Sequence, residues 1–480
     1  MSGRASTATA LLVLLAAALR LPTLDAQSLW VDEAATALVL DAGSLGDLLQ
    51  AIADQESTPP LFYLLTWPLV QAFGDAEWVL RLPSALCGIA TVPVLAAVGA
   101  RLGGPRAGLA TGLLAAVNPL LVWFSQEARA YALLVLLVAL SLLAALRALE
   151  RPGAGRLAAW GVVGGLALTT HYFALFVVVG EAVWLAWALR ERPRVLLAGG
   201  VPLGALALAV LPLALDQREA DRAAFIRDEA LGKRLAELPK QWLVGYDGPL
   251  ELVLGVLAGA VALAALWGVR RRFGPWPRAL RPLLLVLGAS LAVPLLAAVA
   301  GEDFVLTRNL LPSLVLVLVA VGLGLSRLER RAGDALLTAA VAVALVTVVG
   351  VAVQPAYQRE DWRDATRALP TQPAQPGRLV AVLPAAGRFG ALHYLELPVA
   401  RGARPVRTID VVAVAFRRNG EPTESLPPVP AGAPVPGMVP GERHAGDGWV
   451  ARRFVAPGPP VVVDPAALAG YLGGALVLGR

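Results

Sequence analysis

Two adjacent carboxylates, Asp32 and Glu33, lie in Ser28-Leu-Trp-Val-Asp-Glu-Ala-Ala-Thr36, directly after the first apolar stretch, Ala8–Leu24. Acids placed where water meets hydrocarbon are costly to desolvate unless they bind or react with something. Other polar side chains recur at equivalent positions along the chain. They are Thr58-Pro-Pro60, Arg81, Ser125-Gln126-Glu127-Ala-Arg129-Ala-Tyr131, His171-Tyr172 and Thr307-Arg308-Asn309. Arg308 falls within the end of an apolar segment, where an anion is the natural counter-charge for a guanidinium. The planar fork of Arg matches phosphate oxygens better than a Lys ammonium does. Glu127 and Arg129 are two apart and point different ways on a helix, so each needs a partner from another segment. Asp32 or Glu33 is the obvious candidate for Arg129.

Each residue also has a plainer reading. An acidic pair is most often a solvated loop, a single Arg81 or Arg308 snorkels to headgroups, and a single His171 packs. Glu127 with Arg129 reads equally as a structural ion pair. Their joint occurrence on one face, beside a double carboxylate, favours a single active site.

The elements that must carry these residues follow from composition. Of 480 residues 57% are hydrophobic and 16% charged, and the mean hydropathy is +0.66. A water-soluble chain could not hide that much apolar surface, so the sequence predicts a polytopic membrane protein. Lysine occurs only at Lys233 and Lys240, so the isoelectric point of about 9.9 reflects arginine. In a membrane protein that excess signals cytoplasmic loops and not nucleic-acid binding. Cys87 is the only cysteine, which excludes an intrachain disulfide and leaves it a packing role.

The opening run has the form of a signal peptide as well as of a span; an uncleaved first span is the expectation. Gly43–Asp54 is too polar to cross, and the run from Pro60 to Phe73 is short, so interfacial helices are expected in the first outer loop. Pro59 and Pro60 pin a turn at a helix start. Further apolar segments fall at 82–100, 107–124, 130–149, 157–175, 176–190, 195–215, 249–269, 281–300, 309–325 and 334–354, giving about 11 transmembrane helices in all.

Arginine placement orients them. Arg101/Arg106, Arg147/Arg151/Arg156, Arg190/Arg192/Arg194, Arg270/Arg271/Arg272/Arg278/Arg281 and Arg327/Arg330/Arg331 occupy alternate loops, which are cytoplasmic by the positive-inside rule. The N-terminus is then cytoplasmic, and the odd parity exports everything after Gln354. Two domains are expected: residues 1–354 within the membrane, and 355–480 as a small extracytoplasmic α/β C-terminal domain. In the latter, 379–384, 408–414 and 449–455 read as strands and 389–397 as a helix, with a Pro/Gly-rich loop at 421–441. The run 461–478 is apolar, but Asp464 and its glycines argue against another span. Residues 216–247 read as an amphipathic cover over a site or as a plain connector.

The ordered set Trp30-Val-Asp-Glu-Ala34, Thr58-Pro-Pro-Leu-Phe-Tyr63, Arg81-Leu-Pro-Ser84, Ser125-Gln-Glu-Ala-Arg-Ala-Tyr131, Thr170-His-Tyr-Phe173 and Thr307-Arg-Asn-Leu-Leu-Pro-Ser313 resembles bacterial GT-C glycosyltransferases. The nearer group is the protein-mannosyltransferase-like superfamily, which includes membrane mannosyltransferases and the lipid A aminoarabinose transferase type. The resemblance covers about residues 8–325, by motif order and topology.

That resemblance implies transfer of a mannose-type hexose or a pentose from a polyprenyl-phosphate donor, at the outer face of the inner (plasma) membrane. The acceptor is a hydroxyl on a protein, glycolipid or polysaccharide, and configuration inverts. Asp32 takes the role of general base, with Glu33 beside it. Arg308, then Arg129, holds the donor phosphate. Glu127, Gln126, Tyr131, His171, Tyr172, Pro60 and Arg81 line the substrate site. Some relatives are associated with a divalent metal; here only His171 with Glu127 suggests a pair, and no cofactor is assigned. The reading from another class is a transporter or flippase of an anionic lipid or polyprenyl-linked sugar. Against it, the chain shows no internal repeat and no matched broken spans.

Overall fold

The computed structural model describes residues 3–220, 224–273, 280–369, 377–415, 417–418, 421–422 and 426–479. Arg278, residues 221–223 of the expected cover and 423–425 of the expected Pro/Gly-rich loop lie outside the described residues. Two compact units form, one from Met1–Leu24 with Val39–Gly350 and one from Asp25–Leu38 with Val351–Arg480. The sequence placed all of 1–354 in the membrane domain; Asp25–Leu38 instead belongs with the C-terminal residues.

The helices run in chain order from α1 (Gly3–Ala18), α2 (Val31–Leu40), α3 (Leu45–Gln55) and α4 (Leu61–Phe73) to α5 (Glu77–Gly103). Then come α6 (Pro105–Val117), α7 (Pro119–Ser125), α8 (Tyr131–Glu150), α9 (Ala154–Thr170), α10 (Leu175–Ala188) and α11 (Pro193–Glu219). The bundle ends with α12 (Leu231–Val244), α13 (Glu251–Phe273), α14 (Leu280–Val299), α15 (Leu311–Arg327) and α16 (Arg330–Val353). Every apolar segment expected from hydropathy is helical. Among the described residues seven helices are long and apolar enough to cross a membrane, or eight if α6 and α7 form one bent span. The count falls below the expected 11 because Ser6–Ala18 and Tyr172–Ala188 are shorter apolar helices, and α9 has 17 residues.

Local sequence explains the boundaries. Gly104 takes φ +83°, a left-handed conformation that costs glycine little, and so closes α5 immediately before Pro105 opens α6. Asn118 and Pro119 break the next span, and α7 leaves α6 at 56°. Asn118 Oδ1 accepts from Leu121 N at 3.0 Å and caps α7. The bundle packs closely where side chains are small. A Cβ on Gly161 would stand 2.0 Å from Gly199 O, so α9 and α11 meet backbone to backbone. In α12, Leu238 and Trp242 are buried while Lys233 faces out and pairs with Glu229 at 2.8 Å.

The second unit holds α17 (Trp362–Arg367) and α18 (Arg388–Leu395), and strands β1 (Arg378–Leu383), β2 (Arg404–Val406) and β3 (Thr408–Val414). Then follow β4 (Arg417–Arg418), β5 (Glu421–Pro422), β6 (Val439–Gly446), β7 (Trp449–Val455), β8 (Val461–Val463), α19 (Pro465–Tyr471) and β9 (Leu476–Leu478). Five strands form one mixed sheet in the order β6-β7-β3-β1-β9. β1 and β3 are parallel and need a crossover, which α18 supplies. Both faces are covered: Ile409, Val411 and Ala413 pack on one, Val412 and Val414 on the other. On the second face Trp362 is fully buried, and Gly387 and Gly390 make room for its ring. The expected strands and the helix at 389–397 each find their element, and 461–478 resolves into β8, α19 and β9. The Asp25–Leu38 segment is stitched in by Ser28 Oγ, which donates to Glu360 O at 2.7 Å and accepts from Trp362 N at 3.0 Å. Leu29 N donates to Tyr394 Oη at 2.7 Å.

Candidate active site

Asp32 and Glu33 occupy the first turn of α2, where the helix dipole favours negative charge. Their environments differ. Glu33 is fully buried, and its Oε2 faces Trp30 N at 3.5 Å, the acceptor half of a capping box. Asp32 is only half-buried, and its carbonyl accepts from Thr36 Oγ1 at 3.1 Å. Of the two acids, Asp32 is the more exposed.

In the helical unit, Gln126–Ala130 is a turn between α7 and α8, so Glu127 and Arg129 are not on a helix. Arg129 Nη1 donates to both carboxylate oxygens of Glu56, at 2.9 and 3.1 Å, and the pair is nearly buried. Glu56 is the C-cap of α3. Tyr63 Oη stands 3.4 Å from the same Nη1 and 3.2 Å from Thr58 Oγ1. Ser84 Oγ donates to the Arg129 carbonyl at 3.1 Å. The Thr58–Tyr63 motif thus serves to wall the Arg129 head.

His171 caps the end of α9, and its Nδ1 accepts from Phe173 N at 3.3 Å. Its ring lies between Tyr131 and Phe173, at centroid distances of 5.4 and 4.9 Å. Tyr172 Oη donates to Gln217 Oε1 at 2.8 Å, and Gln217 Nε2 donates to Ile52 O at 3.1 Å. His171 stands within electrostatic range of both Arg129 and Arg308. The fold therefore draws Arg129 with Tyr131, His171 and Arg308 from three separate segments.

Arg308 opens a 3₁₀ turn ahead of α15. Its guanidinium lies 5.5 Å from the Phe225 ring centroid, a cation–π contact. Its neighbours are fixed: Thr307 Oγ1 donates to Gln241 Oε1 of α12, and Asn309 Nδ2 donates to Phe304 O at 2.8 Å. Arg234 of α12 forks onto Asp303 at 3.0 and 2.5 Å and donates to Val305 O. That fork holds the Asp303 carboxyl below its ordinary range. The 216–247 segment is thus, in its described part, a packed helix locked to the strand of chain that delivers Arg308.

Other residues singled out by the sequence have these contacts. Arg81 is buried and donates to Leu24 O at 2.7 Å. Gln126 Nε2 donates to Arg20 O at 3.0 Å and to Thr23 Oγ1 at 2.5 Å. Pro60 is the N-cap of α4, and Glu127 is buried. The sequence reading passed over Glu56, Gln217, Arg20 and the Arg234–Asp303 pair. Glu56 carried one signal, an acid between an amphipathic helix and the Pro59-Pro60 turn. Among the described residues no group of three or more His, Cys, Asp and Glu could hold a metal ion.

Residues 57–215, about a third of the chain, match the family model described as dolichyl-phosphate-mannose-protein mannosyltransferase. The match spans every expected site residue except Asp32, Glu33 and Arg308. The fold is similar to that of ArnT from Cupriavidus metallidurans in the apo state, at 16% identity and a TM-score of 0.53, covering 82% of this chain and 85% of that one. The same protein bound to undecaprenyl phosphate matches over 94% of this chain and 99% of that one, at 16% identity and a TM-score of 0.51. Comparison with curated protein sequences gives no match.

Proposed function

We propose that this multi-pass membrane protein, a GT-C glycosyltransferase of the protein-mannosyltransferase-like superfamily, moves a sugar from a polyprenyl-phosphate donor to an acceptor hydroxyl. The observation that carries the reading is the ion-paired Arg129 in the turn leading to Tyr131, whose ring packs on His171, within a fold similar to that of ArnT. That ArnT was captured with undecaprenyl phosphate supports a polyprenyl phosphate as the leaving group here. The reaction runs on the side of the membrane opposite the arginine-rich loops.

The acceptor oxygen attacks the anomeric carbon as the bond from that carbon to the phosphate oxygen breaks. Asp32, part-exposed at a helix N-terminus, takes the acceptor's proton. Polyprenyl phosphate leaves with the bonding pair, and the anomeric configuration inverts. Arg308 meets the charge growing on the phosphate. Arg129 contributes less, because the Glu56 carboxylate already offsets its charge. His171 and Tyr131 shape the sugar pocket, and Glu33 supports Asp32 by capping its helix. The sugar is a mannose-type hexose or a pentose.

The test is a transfer assay in lipid nanodiscs with a panel of polyprenyl-phosphate sugars and with protein, glycolipid and polysaccharide acceptors. Glycosylated product and free polyprenyl phosphate in equal amounts are expected. Movement of intact donor across a bilayer, without product, would establish the transporter reading instead.

A further inference from the structure

Arg20, just past the end of α1, is a fully buried guanidinium whose hydrogen bonds, among the described residues, all go to neutral oxygens. Nη1 donates to Ala116 O at 2.8 Å and Ala16 O at 3.3 Å, Nη2 to Ala115 O at 3.3 Å, and Nε to Ser125 Oγ at 3.1 Å. Charge retained inside a membrane protein without a carboxylate is costly and calls for a role.

Its place in the fold supplies one. Ala115 and Ala116 lie in the last turn of α6, whose carbonyls lose their in-helix donors at the break. Pro119 has no N–H to return to Ala115 O, and the negative end of the helix dipole there favours a cation. Ser125 closes α7 and passes its own hydrogen to Leu121 O at 2.5 Å. The next residue reaches back: Gln126 Nε2 donates to the Arg20 carbonyl at 3.0 Å. Side chain and main chain of Arg20 thus grip Ser125 and Gln126 together, just ahead of the turn that carries Arg129. α5 is shaped around this grip, since a Cβ on Gly88 would stand 2.0 Å from Ser125 Oγ and 3.1 Å from Arg20 Nε.

We propose that Arg20 is a positioning residue. It caps the break in the bent span and fixes the exit of α7, so that Arg129 reaches Glu56 and faces His171. The link to turnover rests on the proposed reading of Arg129 as part of the donor site; the link to loop geometry does not.

The experiment separates the two. In full-length protein carrying Cys87→Ala, a thiol is placed at buried Ala128 or, as a remote reporter, at buried Ala145 of α8, and its rate of modification by N-ethylmaleimide is measured in nanodiscs. Arg20→Met and Gly88→Ala should each speed labelling at position 128 by about tenfold or more, as expected for local opening, and leave position 145 protected. Arg20→Lys, which keeps the cation but loses arms of the fork, should fall between. Gly88→Ala keeps Arg20 itself and carries the test should Arg20→Met not fold. Unchanged labelling at 128, or equal acceleration at both positions, overturns the proposal.

In the transfer assay, Arg20→Met and Arg129→Ala should each raise the donor KM by about tenfold, and the double variant should be no worse than Arg129→Ala alone. Multiplying effects would overturn the positioning role. If the wild type transfers no sugar, the functional reading fails, and the labelling arm still decides the structural one.

Discussion

Two loops bring a guanidinium toward His171, and they hold it by different means. The turn after the broken span fixes Arg129 against the Glu56 carboxylate, walls it with Tyr63 and Thr58, and holds its carbonyl with Ser84. The loop ahead of α15 lays Arg308 over Phe225 and anchors the flanking residues through α12, by Gln241 on Thr307 and Arg234 on Asp303. An ion pair orients a guanidinium and offsets its charge. An aromatic face orients one without neutralising it. In the proposed function Arg129 mainly builds the wall of the site, and Arg308 meets the donor phosphate.

The sharpest way to break this contrast is to remove Glu56. Glu56→Ala removes the carboxylate paired with a nearly buried guanidinium and should destabilise the helical unit by about 3–5 kcal/mol. A large drop in thermal stability in detergent is expected; a near-wild-type melting curve would mean that the pair does not hold the wall. Arg308→Ala should instead leave stability close to wild type and weaken donor binding about 10- to 100-fold, as for loss of a charge-assisted hydrogen bond. If both substitutions affected stability alike, the division of labour would be wrong.

Smaller effects sharpen it. Phe225→Ala removes a contact worth about 0.5–1 kcal/mol and should shift donor affinity only about two- to fivefold. The Arg234–Asp303 lock adds a pH signature. Because the folded carboxyl titrates below its unfolded value of about 3.9, the lock contributes fully above that value and is lost as pH falls through the lower, folded one. Asp303→Asn should flatten the acid limb of the stability profile below pH ~4, and an unaltered limb would show that other carboxylates set it.

Hydropathy carried most of the fold. Apolar runs marked the helices of the bundle, and alternating β-branched residues marked β1, β3 and β7. Length was less legible: the short α1, α9 and α10 have the hydropathy of spans without the residue count. The membership of Asp25–Leu38 was hidden because it depends on Ser28, Leu29 and their partners 330 residues or more away in the chain. At the site, sequence could name Arg129, His171 and Arg308 from their placement at apolar ends. It could not name Glu56 or Gln217, since a pairing across distant segments leaves no local pattern. The resemblance put Asp32 ahead of Glu33 as the base, but the residues alone could not say that α2 buries Glu33 and leaves Asp32 part-exposed. Arg20 was read as part of an apolar run, and its meaning appears only when the break at Asn118 presents bare carbonyls to it.

The most direct measurement compares wild type with Asp32→Asn for turnover and donor binding, using the polyprenyl-phosphate sugar that the wild type accepts. Loss of a general base that keeps its shape should lower turnover by about 10²- to 10⁴-fold while donor affinity stays within about twofold. Turnover at the wild-type rate in Asp32→Asn would contradict the account.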